Sequence, residues 1–436
     1  MKEFFPNIFL EDYNYELPKE RIALYPLPER SSSKLLVAGN KTLFTSLSLK
    51  REENFKDSDF LIFHKNFKDL PDLIPENSII FINDTKVIPA RLLFKKATGG
   101  LVEIFCLEPI FPSTDPLIAL QSENKTIWKC LYSGRKVKEG TSFELKTDDL
   151  STTVNAVVLN KEGKELVVEF SWKNEREKFI NIINKIGNIP LPPYINRNSE
   201  ENDYKTYQTV YANSDGSVAS PTAGLHFTES IFDELAAKKV KIDKLTLHIG
   251  LGTFSPIETE NIAEHNMHSE IFSVNLETLK SLYNFLINKG NKRLVAVGTT
   301  SLRTLETLYW MGIKIGKGRK FKNDFNDLVL NQYEPYFFQK TEDLPSPSQS
   351  IKSLIDYLEN ELKTNKLYGR TELFIVPGYE FKIVDTLITN FHLPGSTLIL
   401  LVAAFVGKEN FHKIYNEALE NDYRFLSYGD SSLLFR

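Results

Sequence analysis

The sequence predicts an α/β protein, with a layered α/β main domain interrupted by a small inserted β-barrel. Three observations predict it. The chain has 436 residues, more than one simple module holds at roughly 100 to 200 residues per domain. Its second half alternates strand and helix signals, which favours a mostly parallel or mixed sheet covered by helices. From about Leu92 to Phe170 the composition changes to short alternating or β-branched runs (LVEIFCL, TIWKCLY, STTVNAVVL, KELVVEF) between Gly, Asn, Asp and Lys turns, the pattern of a small all-β barrel or sandwich. The expected division is 1–91 with 191–436 for the α/β unit and 92–190 for the insertion, plus a Lys-, Asn- and Ser-rich surface elaboration near 316–368.

Taken in order, SIIFINDTKVIPARL contributes a buried strand at Ile79 to Ile82, and LNKEGKELVVEF reads as a hairpin turning near Glu162 and Gly163. The prolines of IPLPPYINR suit a linker out of the inserted unit. Thr228 to Lys239 is an amphipathic helix with Ile231, Phe232, Leu235 and Ala236 on one side. KIDKLTLHIGLGTF follows as a strand in which Leu245, Leu247 and Ile249 share a face, so His248 points the other way. KRLVAVG then leads into TTSLRTLETLYW, a succession of strand, Gly298, hydroxyl cap and helix. FKIVDTLITNFHLPGSTLILLVAAFVG is a second such unit, strand-like from Lys382 to Thr389 with Ser396 or Thr397 capping an apolar helix. The elaboration between them carries one helix at Ile351 to Leu362.

Composition excludes several classes. Hydrophobic residues at 42% and charged residues at 25% are close to globular averages, so disorder, collagen-like repeats and membrane bundles are poor descriptions. With Lys+Arg 53 against Asp+Glu 57, the net charge is −4, and a nucleic-acid partner must be met by a local basic patch. The basic segments RKVKEG, KKVKIDK, NKGNKR and GKGRKFK are the candidates, most of them reading as solvated faces. Cys106 and Cys130 are too few for a disulfide scaffold or a Cys-rich zinc site and point to a reducing compartment. The N-terminus carries acids from Glu3 onward and no apolar leader core. The most apolar run, Leu398 to Val406, falls short of the ~20 residues a spanning helix needs. The expected location is cytoplasmic, with no membrane partner.

Five of the 7 histidines, His226, His248, His265, His268 and His392, lie among Gly, Pro, Thr, Asn and Glu rather than in helix cores. Singly each reads as a capping or structural histidine; together they point to a polar pocket of acid/base or substrate-orienting groups. A metal reading starts from HNMHSE, where His265 and His268 would share a helical face near Glu270 and His248 would complete the set. A metal-dependent hydrolase on those four residues is the alternative function. The order H-E-x-x-H, cysteine ligands and an Asp-rich loop are all missing, so no metal is expected. Gly250-Leu-Gly252 lacks a third glycine, which rejects a dinucleotide fingerprint. The turn Gly298-Thr299-Thr300-Ser301 is more persuasive, because glycine admits a ligand to the backbone and the following helix offers N–H groups and hydroxyls to an anion. Arg303, one turn in, adds a fork for a carboxylate or phosphate. Asn83-Asp84-Thr85, ahead of Arg91, reads by itself as an Asx-type turn followed by a solvated arginine.

These segments, with YELPKERIALYPLPERSSSKLLV, FINDTKVIPARL, YQTVYANSDGSVASPTAGLHFT, LTLHIGLGTFSPIETENIAEHNMHSE, VAVGTTSLRTLE, TNFHLPGST and YRFLSYGDSSLL, cover nearly the whole chain. In that order the chain resembles the S-adenosylmethionine:tRNA ribosyltransferase-isomerases of queuosine biosynthesis. The resemblance implies an α/β domain interrupted by a β-barrel, and a monomer without a tightly bound cofactor. The implied co-substrate is S-adenosylmethionine and the implied partner is tRNA whose wobble base is 7-aminomethyl-7-deazaguanine. It further implies that the donor's ribosyl group is moved and isomerised to an epoxycyclopentanediol, giving epoxyqueuosine in tRNA with release of adenine and methionine. On the matching motifs, His226, His248, His268, Glu270 and His392 are expected to line the reacting centre. Gly298, Thr299, Thr300, Ser301 and Arg303 are expected to hold the donor. Phe227 or Phe391 would stack on adenine or on the wobble base, with plain core as the other reading of each. Asp84, Arg91 and Asp430 are second-rank substrate contacts. The identity of the base stays open.

Three features depart from the family pattern: the long 316–368 segment, Gly395 where a basic residue is common, and Ser431-Ser432 after SYGD. The last keeps a second alternative, a non-catalytic tRNA-binding relative.

Overall fold

Ile79–Asn83 is buried at every position because helices cover both faces of its sheet, which is why such strands read as unbroken apolar runs. The computed structural model describes residues 1–44, 59–96, 99–146, 152–174, 177–250, 252, 256, 257, 259 and 261–436. In it, Ile79–Asn83 pairs in parallel with Lys241–Leu247 on one side and with Leu294–Val297 on the other. Leu294–Val297 in turn pairs in parallel with Thr386–Asn390. These four strands centre a 10-stranded mixed sheet. Ser431–Phe435, Lys34–Asn40 and Phe60–Asn66 extend one side, and Glu270–Asn275, Lys366–Thr371 and Val329–Leu330 the other. Alternate residues feed two cores: Ile79, Phe81, Leu294 and Ala296 face one layer, while Ile80, Ile82, Val295 and Val297 face the opposite one.

The inserted unit is a closed barrel. Arg91–Lys95, Leu101–Phe111, Lys125–Ser133, Glu165–Trp172, Thr153–Glu162 and Ser142–Lys146 pair in that order, and Lys95 opposite Glu144 closes the ring. Closure leaves none of these strands as an open edge. Alternating residues such as Val102, Ile104 and Cys106 fill the interior with Trp128, Phe94 and Phe170, and Phe179 of the helix Phe179–Ile186 joins that core. The hairpin turns at Gly163, whose φ of 57° suits a glycine.

The segment 316–368 is not the surface elaboration expected from its polar composition. Pro347–Asp356 buries Ile351, Leu354 and Ile355 in the main core. It lies against Gly298–Gly316, and a methyl on Gly312 would overlap the Ser350 backbone. The physical reason is that Gly298–Gly316 is buried from Gly298 through Ile315, so it needs a covering layer on every side. The helix expected at 351–362 begins earlier, where Ser346 and Gln349 form a reciprocal cap, and it ends in a π-helical turn, Tyr357–Leu362.

The strand expected from Lys382 starts later, at Thr386. The backbone N–H groups of Lys382, Ile383 and Val384 donate instead to the Glu306 carboxylate, each at 2.9 Å.

Candidate active site

All four parallel strands point their carboxyl ends at one edge of the sheet, the place where open α/β sheets bind ligands. The residues that follow Asn83, Leu247, Val297 and Asn390 are Asp84, His248, Gly298 and Phe391 with His392. Asn390 lies opposite Ser431, and the His248 N–H donates to the Ile271 carbonyl, so Asp430 and Glu270 reach the same edge from antiparallel neighbours. Residues more than three hundred apart in sequence therefore meet because of strand order.

A cleft of about 620 Å³, measured to its open mouth, lies over this edge. Gly298, Thr299 and Thr300 line it together with Asn390, Phe391 and His392. Three smaller recesses adjoin it. Leu398 is shared with one of about 420 Å³ that holds His268, Glu270 and Arg303. Ile249 is shared with one of about 390 Å³ that holds His248, and Ser427 with one of about 310 Å³ that holds His226.

The helix Gly298–Gly316 starts directly at the cleft. Val297 makes no side-chain cap, so the expected hydroxyl cap is absent and the first N–H groups lack one. Gly298 sits at φ 85°, strained for any L side chain. An uncapped helix start facing a cavity is a ready anion site.

Three histidines gather at this edge, His226 buried and His248 and His392 half-buried. His392 Nε2 lies 2.9 Å from Thr389 Oγ1, its carbonyl accepts from the Tyr15 hydroxyl, and burial pushes its pKa down to about 3. His226 Nδ1 lies 2.8 Å from Ser33 Oγ, its ring also meets the Asn390 side chain, and burial lowers it to about 4. His248 Nδ1 is 2.8 Å from Thr85 Oγ1, and burial, with Lys366 adding to it, lowers this ring to about 4. All three are neutral at pH 7 and serve as proton acceptors or hydrogen-bonding groups, not as cations.

This has a consequence for stability. His226 is 4% exposed and its folded pKa of about 4 lies below its ordinary 6.5. As pH falls below 6.5 the unfolded chain takes up the proton first, so stability is lost down to pH 4 and levels off beneath it. For His226 alone the loss is on the order of 3 kcal/mol. Asp84 and Asp430, raised by burial, bind protons more readily folded than unfolded and offset part of the loss at the acid end. Thermal unfolding midpoints measured from pH 7 to 4 should fall, and His226→Gln should flatten the curve; an unchanged slope in that variant would contradict a buried neutral imidazole.

A model of the queuosine biosynthesis protein family matches residues 10–434. The chain belongs to that family. It is 38% identical over 427 residues to a protein of Sulfurihydrogenibium sp. (strain YO3AOP1), covering 98% of this chain and 99% of that one. A Natranaerobius thermophilus protein is 37% identical over 428 residues, with the same coverage of both chains. Each is named S-adenosylmethionine:tRNA ribosyltransferase-isomerase. A crystal structure of S-adenosylmethionine tRNA ribosyltransferase from Thermotoga maritima is 27% identical, covers 97% of this chain and 100% of that one, and superposes with a TM-score of 0.44.

Several expectations for this queuosine-family chain need correction. Residues 265–269 are not helical: the turn Ile262–Glu264 ends at His265 and a strand starts at Glu270. His265 and His268 therefore share no helical face, and among the described residues no group of three His, Cys, Asp or Glu side chains is arranged to hold a metal. The His268 ring instead packs against Gly252, so closely that a methyl there would overlap it. Leu251 within the glycine pair, and Thr253, Phe254, Ser255, Glu258 and Glu260 after it, lie outside the described residues.

Arg303 is not a free fork. It forms a buried ion pair with Glu270 through Nη1, and its Nε donates to the Leu373 carbonyl at 3.0 Å. Only Nη2 is left buried and unpartnered. Ser301 is fully buried behind the cleft wall and its Oγ finds no partner.

Phe227 cannot stack on a ligand: it is fully buried among Phe67, Tyr211 and Phe232. Phe391 packs its ring against Tyr415 and Phe425 but forms part of the cleft wall. Arg91 lies in the barrel, forked onto Glu103 at 2.9 and 2.8 Å. Asp84 accepts from Thr246 Oγ1 at 2.7 Å, and Asp430 accepts the backbone N–H groups of Lys34 and Arg424 at 2.9 and 2.8 Å. Both carboxylates brace loops at the sheet edge. Gly395 has φ 73°, which a basic side chain would strain, and Ser432 Oγ donates to the Thr389 carbonyl inside the sheet.

Sequence reading missed Asn390, whose Nδ2 donates to the Leu426 carbonyl at 2.9 Å and whose side chain meets the His226 ring beside the cleft. It also missed Tyr194 and Ser427, joined at 2.6 Å in the cleft wall. Tyr194 sits in a proline-rich stretch that reads as linker; a lone tyrosine among prolines was the available signal.

Proposed function

We propose that this chain is an S-adenosylmethionine:tRNA ribosyltransferase-isomerase. In this reading it moves and isomerises the donor's ribosyl group onto 7-aminomethyl-7-deazaguanine at the tRNA wobble position, and releases adenine and methionine. The observation that carries the reading, beside family membership, is one cleft that holds an uncapped helix start and a neutral histidine, His392. The reaction needs both: an anion grip for the methionine carboxylate, and a group to remove a proton from the carbon that the positive sulfur acidifies.

His392 is our candidate for that base, because it is the one of these three neutral histidines that lines the cleft with Gly298, Thr299 and Thr300. His226, His248, His268 and Glu270 orient the substrates from the adjoining recesses. Ile249, Leu398 and Leu426 give the cleft apolar walls that exclude water from a reactive intermediate. The α/β unit, 1–91 with 191–436, carries the chemistry. S-adenosylmethionine is a co-substrate, no resident cofactor is required, and a cytoplasmic monomer is the working form. No helix among the described residues is long and apolar enough to cross a membrane.

The test uses donor labelled separately in the ribose and in the methyl group. Ribose label should enter the RNA and methyl label should leave in free methionine. Methyl label in the RNA would replace this reading with an ordinary methyl transfer.

A further inference from the structure

The recess beside the central cleft holds two arginines that the proposed chemistry does not use. Arg30 and Arg424 both line it, with His226, Ser33, Ser427 and Tyr428. Backbone carbonyls hold both guanidinium groups. Arg30 donates to Gln208 at 2.7 Å, Lys205 at 2.9 Å and Leu225 at 3.4 Å. Arg424 donates to Tyr428 at 2.7 Å and Tyr25 at 3.3 Å. Carbonyls orient a cation without neutralising it. Asp430, whose two oxygens accept the N–H groups of Lys34 and Arg424, acts on Arg424 through space and offsets part of its charge.

Both arginines are half-buried, and burial disfavours their charge. Such an arrangement is costly unless an anion completes it. His226, 4% exposed, lines the same recess with its Nδ1 2.8 Å from Ser33 Oγ and a side-chain hydrogen bond to Asn390, and beyond burial the nearness of Arg424 and Arg30 disfavours its charge.

We propose that the recess formed by Arg30, Arg424 and His226 binds a backbone phosphodiester of the RNA substrate, next to the nucleotide whose base enters the central cleft. This rests on the proposed function. Two planar guanidinium forks match the oxygens of a phosphate better than a single point charge would. The recess shares Ser427 with the cleft wall, so a strand that places a base in the cleft runs its backbone past it. The donor's one carboxylate already has the helix start at Gly298. Contacts of this kind position a nucleic acid without reading its sequence.

The test compares stem-loop RNAs that carry the reacting base and have single linkages flanking it replaced by neutral methylphosphonate. With the wild-type protein at low salt, one replacement should weaken RNA binding about tenfold. In an Arg30→Gln/Arg424→Gln protein the same replacement should cost nothing further. The salt dependence of the double variant should be shallower by about 0.7 in log–log slope per lost phosphate. Donor binding within twofold of wild type serves as the check on folding. Inorganic phosphate should compete with RNA and not with S-adenosylmethionine; competition with the donor would assign the recess to the donor's carboxylate instead and overturn the proposal. So would wild-type binding that is indifferent to every flanking replacement, a result that needs no variant to fold. If the wild-type protein binds the unsubstituted RNA but never turns it over, the proposed function fails while the phosphate site stands.

Discussion

Replacing His392 by Gln lowers turnover by roughly 10²- to 10⁴-fold while S-adenosylmethionine binds within about tenfold of wild type. Glutamine retains a polar group able to reach Thr389 Oγ1, which lies 2.9 Å from the imidazole, but offers no basic nitrogen. The effect therefore separates proton removal from shape. Burial holds the imidazole neutral far below pH 7, so activity should show no loss through the pH range in which an exposed histidine titrates. Single-turnover and donor-binding measurements on the same variant make the check. Normal chemistry with weakened donor binding would move His392 from base to recognition.

The second large effect concerns stability. Glu270 and Arg303 are 4% and 5% exposed at their side chains, so removing one partner strands a charge in a dry site. Arg303→Met should destabilise by about 3–5 kcal/mol, whereas Arg303→Met with Glu270→Leu should recover most of that loss, because an apolar pair of similar volume carries no desolvation cost. Thermal unfolding of the two variants reads the difference directly. Activity should not return in the double variant, since Arg303 Nη2 and the Glu270 carboxylate both leave the recess that holds His268. A double variant no more stable than the single one would mean the pair is not the source of the loss.

Local patterns predicted local structure well. The barrel followed from alternation and turn residues, since a half-buried strand alternates whichever strand it meets. The Gly298 helix followed from a glycine and hydroxyls after an apolar run. Long-range pairing was less legible. Glu270 and Arg303 are placed together by a strand and a helix that meet in space, and no spacing rule announces that a promising fork is already engaged. HNMHSE has helical spacing but is not helical, because it delivers Glu270 into a strand at the sheet edge. Phe227 carries the same letters whether it faces a ligand or a core, and its place among Phe67, Tyr211 and Phe232 follows only from packing. Polar composition similarly disguised 316–368, whose few apolar residues at helical spacing were enough to cover the Gly298–Gly316 helix.

One measurement tests the central claim most directly. The purified protein is incubated with S-adenosylmethionine and tRNA bearing 7-aminomethyl-7-deazaguanine at the wobble position, and small molecules and digested nucleosides are analysed by mass spectrometry. Adenine and methionine released together with an epoxyqueuosine nucleoside is the predicted result. S-adenosylhomocysteine with a methylated nucleoside, or no product from protein that binds both substrates, would contradict it.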